Sequence, residues 1–184
     1  MEHNCQAMMQ ALYDKESIRD CLYRYCRGID RADEDALRSA YWPDARDCHG
    51  AYQGSANGFI EQALARLRTG GRGVHQITNV LIELHGTIAA VESSFLALQV
   101  NRATPRQETF LCGRYLDRFE KRGSEWRIAD RTVVYDWIDE RVCSGLPQED
   151  PARFGKRKPT GARMQQDPLY PFLAAVRSAG GHGG

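Results

Sequence analysis

Apolar side chains recur at Ile18, Leu22, Tyr25, Cys26 and Ile29, the spacing of one helix face, and predict a first helix that ends near Asp30. Gly28 loosens its end. Asp33 then offers an N-cap, Glu34 and Asp35 complement the dipole of a second helix, and that helix runs through Tyr41 and Trp42 to a stop at Pro43. A third helix fits Phe59 to Leu67, with Ile60, Ala63, Leu64 and Leu67 on one side and Gly70-Gly71 as its terminator. Beyond Arg72 the period falls from about four residues to two. Four runs, roughly 73–84, 88–101, 107–120 and 125–138, read as long antiparallel strands. His85-Gly86-Thr87, Thr104-Pro105 and Arg122-Gly123-Ser124 lie between them with the chemistry of hairpin turns. Helices first and a meander afterwards mean an α+β fold.

In the first strand Ile77 and Leu81 fall on one face and Val80, Ile82 and Leu84 on the other. A sheet that is apolar on both faces needs cover on both, so helices on one side leave the other for a partner subunit or the tail. A homo-oligomer, dimer or trimer, is the expectation.

Composition divides the chain. The last 44 residues hold seven of the 17 glycines and five of the seven prolines. The folded domain is therefore expected to span 1–140, with a Gly/Pro-rich tail over 141–184 that is partly docked or disordered. Within that tail, Pro168-Leu-Tyr-Pro-Phe-Leu-Ala-Ala-Val176 is apolar enough to dock onto the body or another subunit. A net charge of +1, from 25 basic and 24 acidic residues, creates no field that attracts nucleic acid or an anionic membrane. The first ten residues lack a basic start followed by an apolar stretch, and nothing later approaches the ~20 apolar residues of a membrane span. A cytoplasmic protein is expected. Six cysteines form no CxxC pair, and Cys21 and Cys26 suit free thiols packed in a helix, so neither disulfides nor zinc are expected.

Two residues carry the candidate chemistry: Asp30 at the end of the first helix and His75 at the start of the first strand. Brought together, the carboxylate would fix the tautomer of the imidazole and strengthen it as a base for taking a proton from carbon. Separately, Asp30 would cap its helix or pair with Arg27 or Arg31, and His75 would be an ordinary strand histidine. Pattern and spacing alone leave both readings open.

Several short pieces, weak one by one, occur together in a recognisable order. They are Ile18-Arg-Asp20, Gly28-Ile-Asp30, Ala40-Tyr-Trp-Pro-Asp-Ala45, His75-Gln-Ile-Thr-Asn79, Gly113-Arg-Tyr-Leu-Asp117, and Gly123-Ser-Glu-Trp-Arg-Ile128 leading to Asp136-Trp137. In this the chain resembles the SnoaL-like branch of the nuclear transport factor 2-like superfamily over about residues 10 to 140. That group includes scytalone dehydratase, hexachlorocyclohexane dehydrochlorinase, bile acid 7α-dehydratase and polyketide cyclases.

The resemblance implies a cone-shaped, curved antiparallel sheet covered by N-terminal helices. It also implies an Asp-His pair at the mouth of the cone, at Asp30 and His75, working without metal or organic cofactor. Tyr25 matches a position where some members carry a catalytic tyrosine or lysine, and its phenol would serve a leaving oxygen. Core packing is its alternative role. His49 falls about where another member has a catalytic tyrosine. Tyr41, Trp42, His49, Asn79, Tyr115 and Arg131 are the candidate substrate contacts, although packing roles are open for each. The dehydrochlorinase carries an arginine where this chain has Thr132. Arg131 stands beside it, and strand alternation would let its side chain face away from the pocket.

The expected function is that of a cofactor-independent lyase or isomerase for a hydrophobic cyclic or aromatic hydroxy compound, releasing water or a small carbonyl fragment. Formaldehyde from a lignin-derived diaryl compound is one variant. The alternatives on the same fold are a non-catalytic binding or assembly module and the small subunit of a ring-hydroxylating oxygenase.

Overall fold

The computed structural model describes residues 2–69, 72–100, 105–143 and 150–180, so Gly70-Gly71, Thr104 and the last four residues, all of which enter the sequence expectations, lie outside it. Helix α1 spans Glu2–Arg31 and begins well before Ile18. No glycine or proline interrupts it until Gly28, and the buried Asp14 ties its first half to the sheet. The Asp14 carboxylate accepts hydrogen bonds from Trp126 Nε1 at 2.9 Å and Lys121 Nζ at 2.8 Å. Ile18, Cys21, Leu22, Tyr25 and Cys26 form its buried stripe, and each fully buried leucine or isoleucine contributes about 1.5–3 kcal/mol. Gly28 does not loosen the helix. A Cβ there would sit 2.6 Å from Leu37 Cβ, so glycine is what lets the next helix pack closely.

That helix, α2, spans Glu34–Ser39, and its N-cap Asp33 accepts the Ala36 N–H at 3.0 Å. It stops before Tyr41 and Trp42, which the sequence pattern assigns to it. Those two residues open strand β1, Tyr41–His49, because Ala40 and Tyr41 pair with the beginning of the last long strand: Ile128 N–H donates to Ala40 O at 2.9 Å. Sheet hydrogen bonds override the local helical pattern there. Gly50, with φ of +62°, turns the chain into β2, Tyr52–Ser55, and α3 follows over Ala56–Thr69.

Four long strands come next: β3 (Arg72–His85), β4 (Ile88–Val100), β5 (Gln107–Arg122) and β6 (Glu125–Val142). The six strands form one sheet in the order β2-β1-β6-β5-β4-β3, antiparallel throughout except where β1 lies parallel to β6. Register shifts in β3 at Thr78-Asn79 and in β6 at Ala129 and Asp136 curve it around α1 and α3. The core fills the concave side.

The shift in β3 corrects the two-faced reading of that strand. One extra residue between Ile77 and Val80 reverses the alternation, so Ile77, Val80, Ile82 and Leu84 all turn to the core while Leu81 is 67% exposed. The outward side of the sheet nevertheless carries exposed Val74, Leu81, Leu96, Leu98, Leu116 and Trp137.

After β6 come α4 (Pro151–Phe154), a short 3-10 turn at Met164–Gln166, and α5 (Leu169–Gly180). This segment is fastened near the ends of α1 and α3. Arg31 Nε lies 3.2 Å from Asp167 Oδ2, Tyr170 Oη donates to Asp33 Oδ2 at 2.8 Å, and Arg163 donates to Leu67 O. No described helix is long and apolar enough to cross a membrane.

Candidate active site

Asp30 sits in the last turn of α1 and His75 near the start of β3, an edge strand packed against that helix. The carboxylate meets the histidine twice. Asp30 Oδ2 accepts the His75 backbone N–H at 2.9 Å, and Oδ1 lies 2.6 Å from His75 Nδ1. A carboxylate can only accept, so Nδ1 carries the hydrogen in the neutral ring and Nε2 keeps its lone pair. Among the described residues nothing bonds to Nε2. The side chains are 7% and 11% exposed, and the neighbouring inward positions are apolar: Ile77 on the same strand and Ala97 and Leu111 across the register. The tail is fastened on either side of the pair, through Arg31 and Asp33 next to Asp30 and through Arg72, which donates to Gly161 O at 2.7 Å.

Deeper in the cone lies a second ion pair. Arg131 donates to both oxygens of Asp117, from Nε at 2.7 Å and Nη2 at 2.6 Å, and both side chains are fully buried. The guanidinium packs into the corner made by Tyr25 and Tyr115, 4.2 and 4.0 Å from their ring centroids. Burial pushes the Asp117 carboxyl above the usual carboxylate range, and the charge and hydrogen bonds of Arg131 oppose that push. Burial works against the Arg131 charge too, but Asp117 outweighs it and the guanidinium stays protonated.

This geometry corrects the expectation for Arg131. The shift at Ala129 reverses the alternation in β6, so Arg131 turns inward, where Asp117 and the tyrosines engage it. Tyr25 belongs to the same stack and is 1% exposed. Its ring faces Arg131 and lies edge-on to Tyr41 and Tyr115, and burial raises its phenol well above the ordinary range. A group that hands a proton to a leaving oxygen needs contact with it, and this packing takes up that surface.

The remaining candidates separate by face. Tyr41 is buried and donates to Asp47 Oδ2 at 2.7 Å, and Tyr115 stacks on Phe95 at 4.5 Å, so both are core residues. Trp42 points away from the pair. Its Nε1 donates to Glu120 O at 3.0 Å, and its ring lies under Arg122 and Arg127 at 4.8 and 4.9 Å. Asn79 is exposed at the shift in β3 and shares no face with His75, contrary to simple alternation. His49 does face inward, stacked on Phe59 at 4.5 Å with Tyr135 edge-on at 6.4 Å.

Sequence reasoning passed over Asp47, a fully buried carboxylate hidden in the polar run Pro43-Asp-Ala-Arg-Asp-Cys-His49. Its two-residue spacing from His49 was the available signal, because on a strand that spacing puts both on one face. A groove of about 480 Å³ on the outward side, between Leu81, Glu92, Leu116 and Asp130, contains neither Asp30 nor His75. Among the described residues no three His, Cys, Asp or Glu side chains are grouped to hold a metal ion.

Solved structures share this architecture. A hexachlorocyclohexane dehydrochlorinase, LinA type 2, matches with a TM-score of 0.68 at 19% identity, over 78% of this chain and 97% of its own. A putative scytalone dehydratase from Novosphingobium aromaticivorans matches at 0.65 and 19%, over 78% and 98%. The beta subunit of a putative aromatic-ring-hydroxylating dioxygenase from the same organism matches at 0.56 and 18%, over 70% and 93%. At these identities the likeness is one of fold. No protein of curated function matches the sequence. The family profile described as the SnoaL-like domain matches residues 10–132, about two thirds of the chain, and with the curved six-stranded sheet and its covering helices it makes this protein a member of the SnoaL-like family.

Proposed function

We propose that the protein is a cofactor-independent lyase or isomerase that acts on a hydrophobic cyclic or aromatic hydroxy compound by general-base removal of a proton. The observation that carries the reading is the His75 ring, held through Nδ1 by Asp30 with Nε2 left unengaged by the protein. Nε2 takes a hydrogen from a carbon next to a carbonyl or on an activated ring. The C–H electron pair becomes a C=C bond, and the C–O bond on the adjacent carbon breaks towards oxygen. Asp30 holds the imidazolium through the step. In the deformylating variant, Nε2 takes the proton of a hydroxymethyl group instead. Formaldehyde then leaves as the C–C bond electrons form the alkene and expel the neighbouring oxygen. The apolar positions around the pair favour a hydrophobic skeleton in either case.

The dehydrochlorinase and putative dehydratase among the structural neighbours are named for elimination reactions, which supports this reading. The oxygenase beta subunit supports the alternative of a small subunit of a ring-hydroxylating oxygenase. A screen of hydroxylated aromatic, steroid-like and lignin-dimer compounds, run with and without a chelator, separates them. Turnover should survive the chelator and fall about 10²–10⁴-fold in Asp30→Asn and in His75→Ala. A wild-type rate in either variant sinks the base, and co-purification with a larger iron-containing chain points to the subunit role. The homo-oligomer belongs to the same proposal, with the exposed apolar side of the sheet as the surface a second copy would cover. Sedimentation velocity checks it, and a monomer at micromolar concentration refutes it.

A further inference from the structure

We infer that Asp47 and His49 form a second proton-handling pair on the far wall of the cone, with His49 giving a proton to the departing oxygen and Asp47 as the positioning residue that aims it. This rests on the lyase reading above and adds the acid that the reading lacks.

Four observations lead there. Asp47 and His49 are two residues apart on β1, so both side chains point to the concave side. The Asp47 side chain is fully buried: Oδ2 accepts the Tyr41 hydroxyl at 2.7 Å, while Oδ1 is sealed from solvent with no hydrogen-bond partner. His49 Nδ1 is buried and unpartnered in the same way, and it lies 3.6 Å from that oxygen. Two orphaned polar atoms face each other just beyond bonding distance, and a buried polar atom without a partner is unfavourable. Finally, Phe59 lies flat against the ring at an interplanar angle of 17°, and Tyr135 closes its edge. Phe59 on its face leaves a shift of the imidazole in its own plane as the motion that would close the gap to Asp47.

The placement suits an elimination. In the sheet order β2-β1-β6-β5-β4-β3, His49 comes from β1 near one edge and His75 from β3 at the other. A substrate seated between them meets the base on one side and His49 on the other. The His49 side chain is 22% exposed, so part of the ring stays open while Nδ1 is covered. In the reaction, His75 Nε2 takes the carbon-bound hydrogen and the C–O pair collapses onto oxygen. That oxygen accepts the proton from His49 Nε2 and leaves as water. His49 keeps its Nδ1 hydrogen on Asp47 and ends neutral, His75 ends as imidazolium, and one proton carried by solvent from His75 to His49 restores both.

The test compares a hydroxy substrate found in the screen with its chloro analogue, because chloride departs without a proton. His49→Gln should cut kcat on the hydroxy compound about 10²-fold and change the chloro compound less than about threefold. Asp47→Asn, which keeps an acceptor for Tyr41 and should hold its Tm, ought to give a smaller loss with the same selectivity. His75→Ala should abolish both reactions. Equal losses on the two substrates, or none, overturn the second pair. Retention of both rates in His75→Ala overturns the general-base reading instead. A readout that needs no substrate is the ring ¹⁵N spectrum of His49. It should report hydrogen on Nδ1 in the wild type and its loss in Asp47→Asn, and an unprotonated Nδ1 in the wild type refutes the pairing.

Discussion

The cone holds two carboxylate–base pairs with almost the same contact distance and opposite character. Asp30 and His75 meet at 2.6 Å near the mouth, and Asp117 and Arg131 meet at 2.6 and 2.7 Å in the interior. At the mouth one ring nitrogen is held and the other is left open. In the interior both carboxylate oxygens are taken and aromatic rings cover the guanidinium on two sides. Arginine moreover stays protonated in proteins, whereas histidine exchanges its proton near neutral pH. Short distance alone therefore does not mark a catalytic pair. What separates them is whether the base has an unengaged nitrogen and a proton it is able to give up.

The largest effects should fall on opposite observables. Asp30→Asn keeps an acceptor for the His75 backbone and should leave the thermal midpoint nearly unchanged while activity falls about 10²–10⁴-fold, or roughly 3–5 kcal/mol of transition-state stabilisation. Asp117→Ala strands a buried guanidinium and should cost about 3–5 kcal/mol of stability, seen calorimetrically as a drop of roughly 10 °C or more. If Asp30→Asn unfolds the protein and Asp117→Ala only slows it, the two roles are reversed.

A smaller effect sharpens the contrast. Replacing the interior pair together, Asp117→Leu with Arg131→Met, removes both charges at once and should recover most of the stability lost by Asp117→Ala, since apolar substitutes for buried ion pairs are often neutral or better. Chemical denaturation of the single and double variants measures it. No recovery would mean that the guanidinium is needed for more than neutralising Asp117, for instance at Nη1, which has no hydrogen-bond partner.

Acid should also loosen the tail beside the mouth. Asp167 holds the tail there. Burial alone would raise its pKa, but the Ala162 and Leu169 N–H groups and the charges of Arg31 and Arg72 outweigh that and hold it below the usual carboxylate range. A depressed folded value means that this contribution is complete above the unfolded pKa of about 3.9 and disappears as pH falls through the folded value. The hydrogen-exchange protection factors over 160–180 should therefore fall below about pH 4, and protection that is unchanged at pH 3 would show that the Asp167 contacts do not hold the tail.

Much of this was legible in the sequence. The four strands and the third helix were found because their apolar periods are long and regular, and Asp33 announced itself as a cap. What escaped has one physical origin: register shifts are made by backbone pairing between distant segments, which a single strand's alternation cannot reveal. The shift at Ala129 carried Arg131 inward, the one at Thr78-Asn79 merged two apolar faces into one, and pairing with β6 turned Tyr41-Trp42 from helix into strand. Asp30 and His75 each stood out in the sequence. Their contact across 45 positions did not, because it is made by how α1 packs on β3.

The smallest expected effect tests that explanation most directly. Asn79 has the same parity as His75 and under strict alternation would line the same wall, yet in the structure it is exposed at the shift. Asn79→Ala should leave kcat/KM within about twofold and stability within about 0.5 kcal/mol, the usual range for a surface change. A tenfold loss of rate would mean that the wall containing His75 continues through residue 79. Leu81 would then lie beside Ile77 on the inner side, and Val80, Ile82 and Leu84 would face outward, so a null result at one amide tests the register of the whole edge strand on which His75 is mounted.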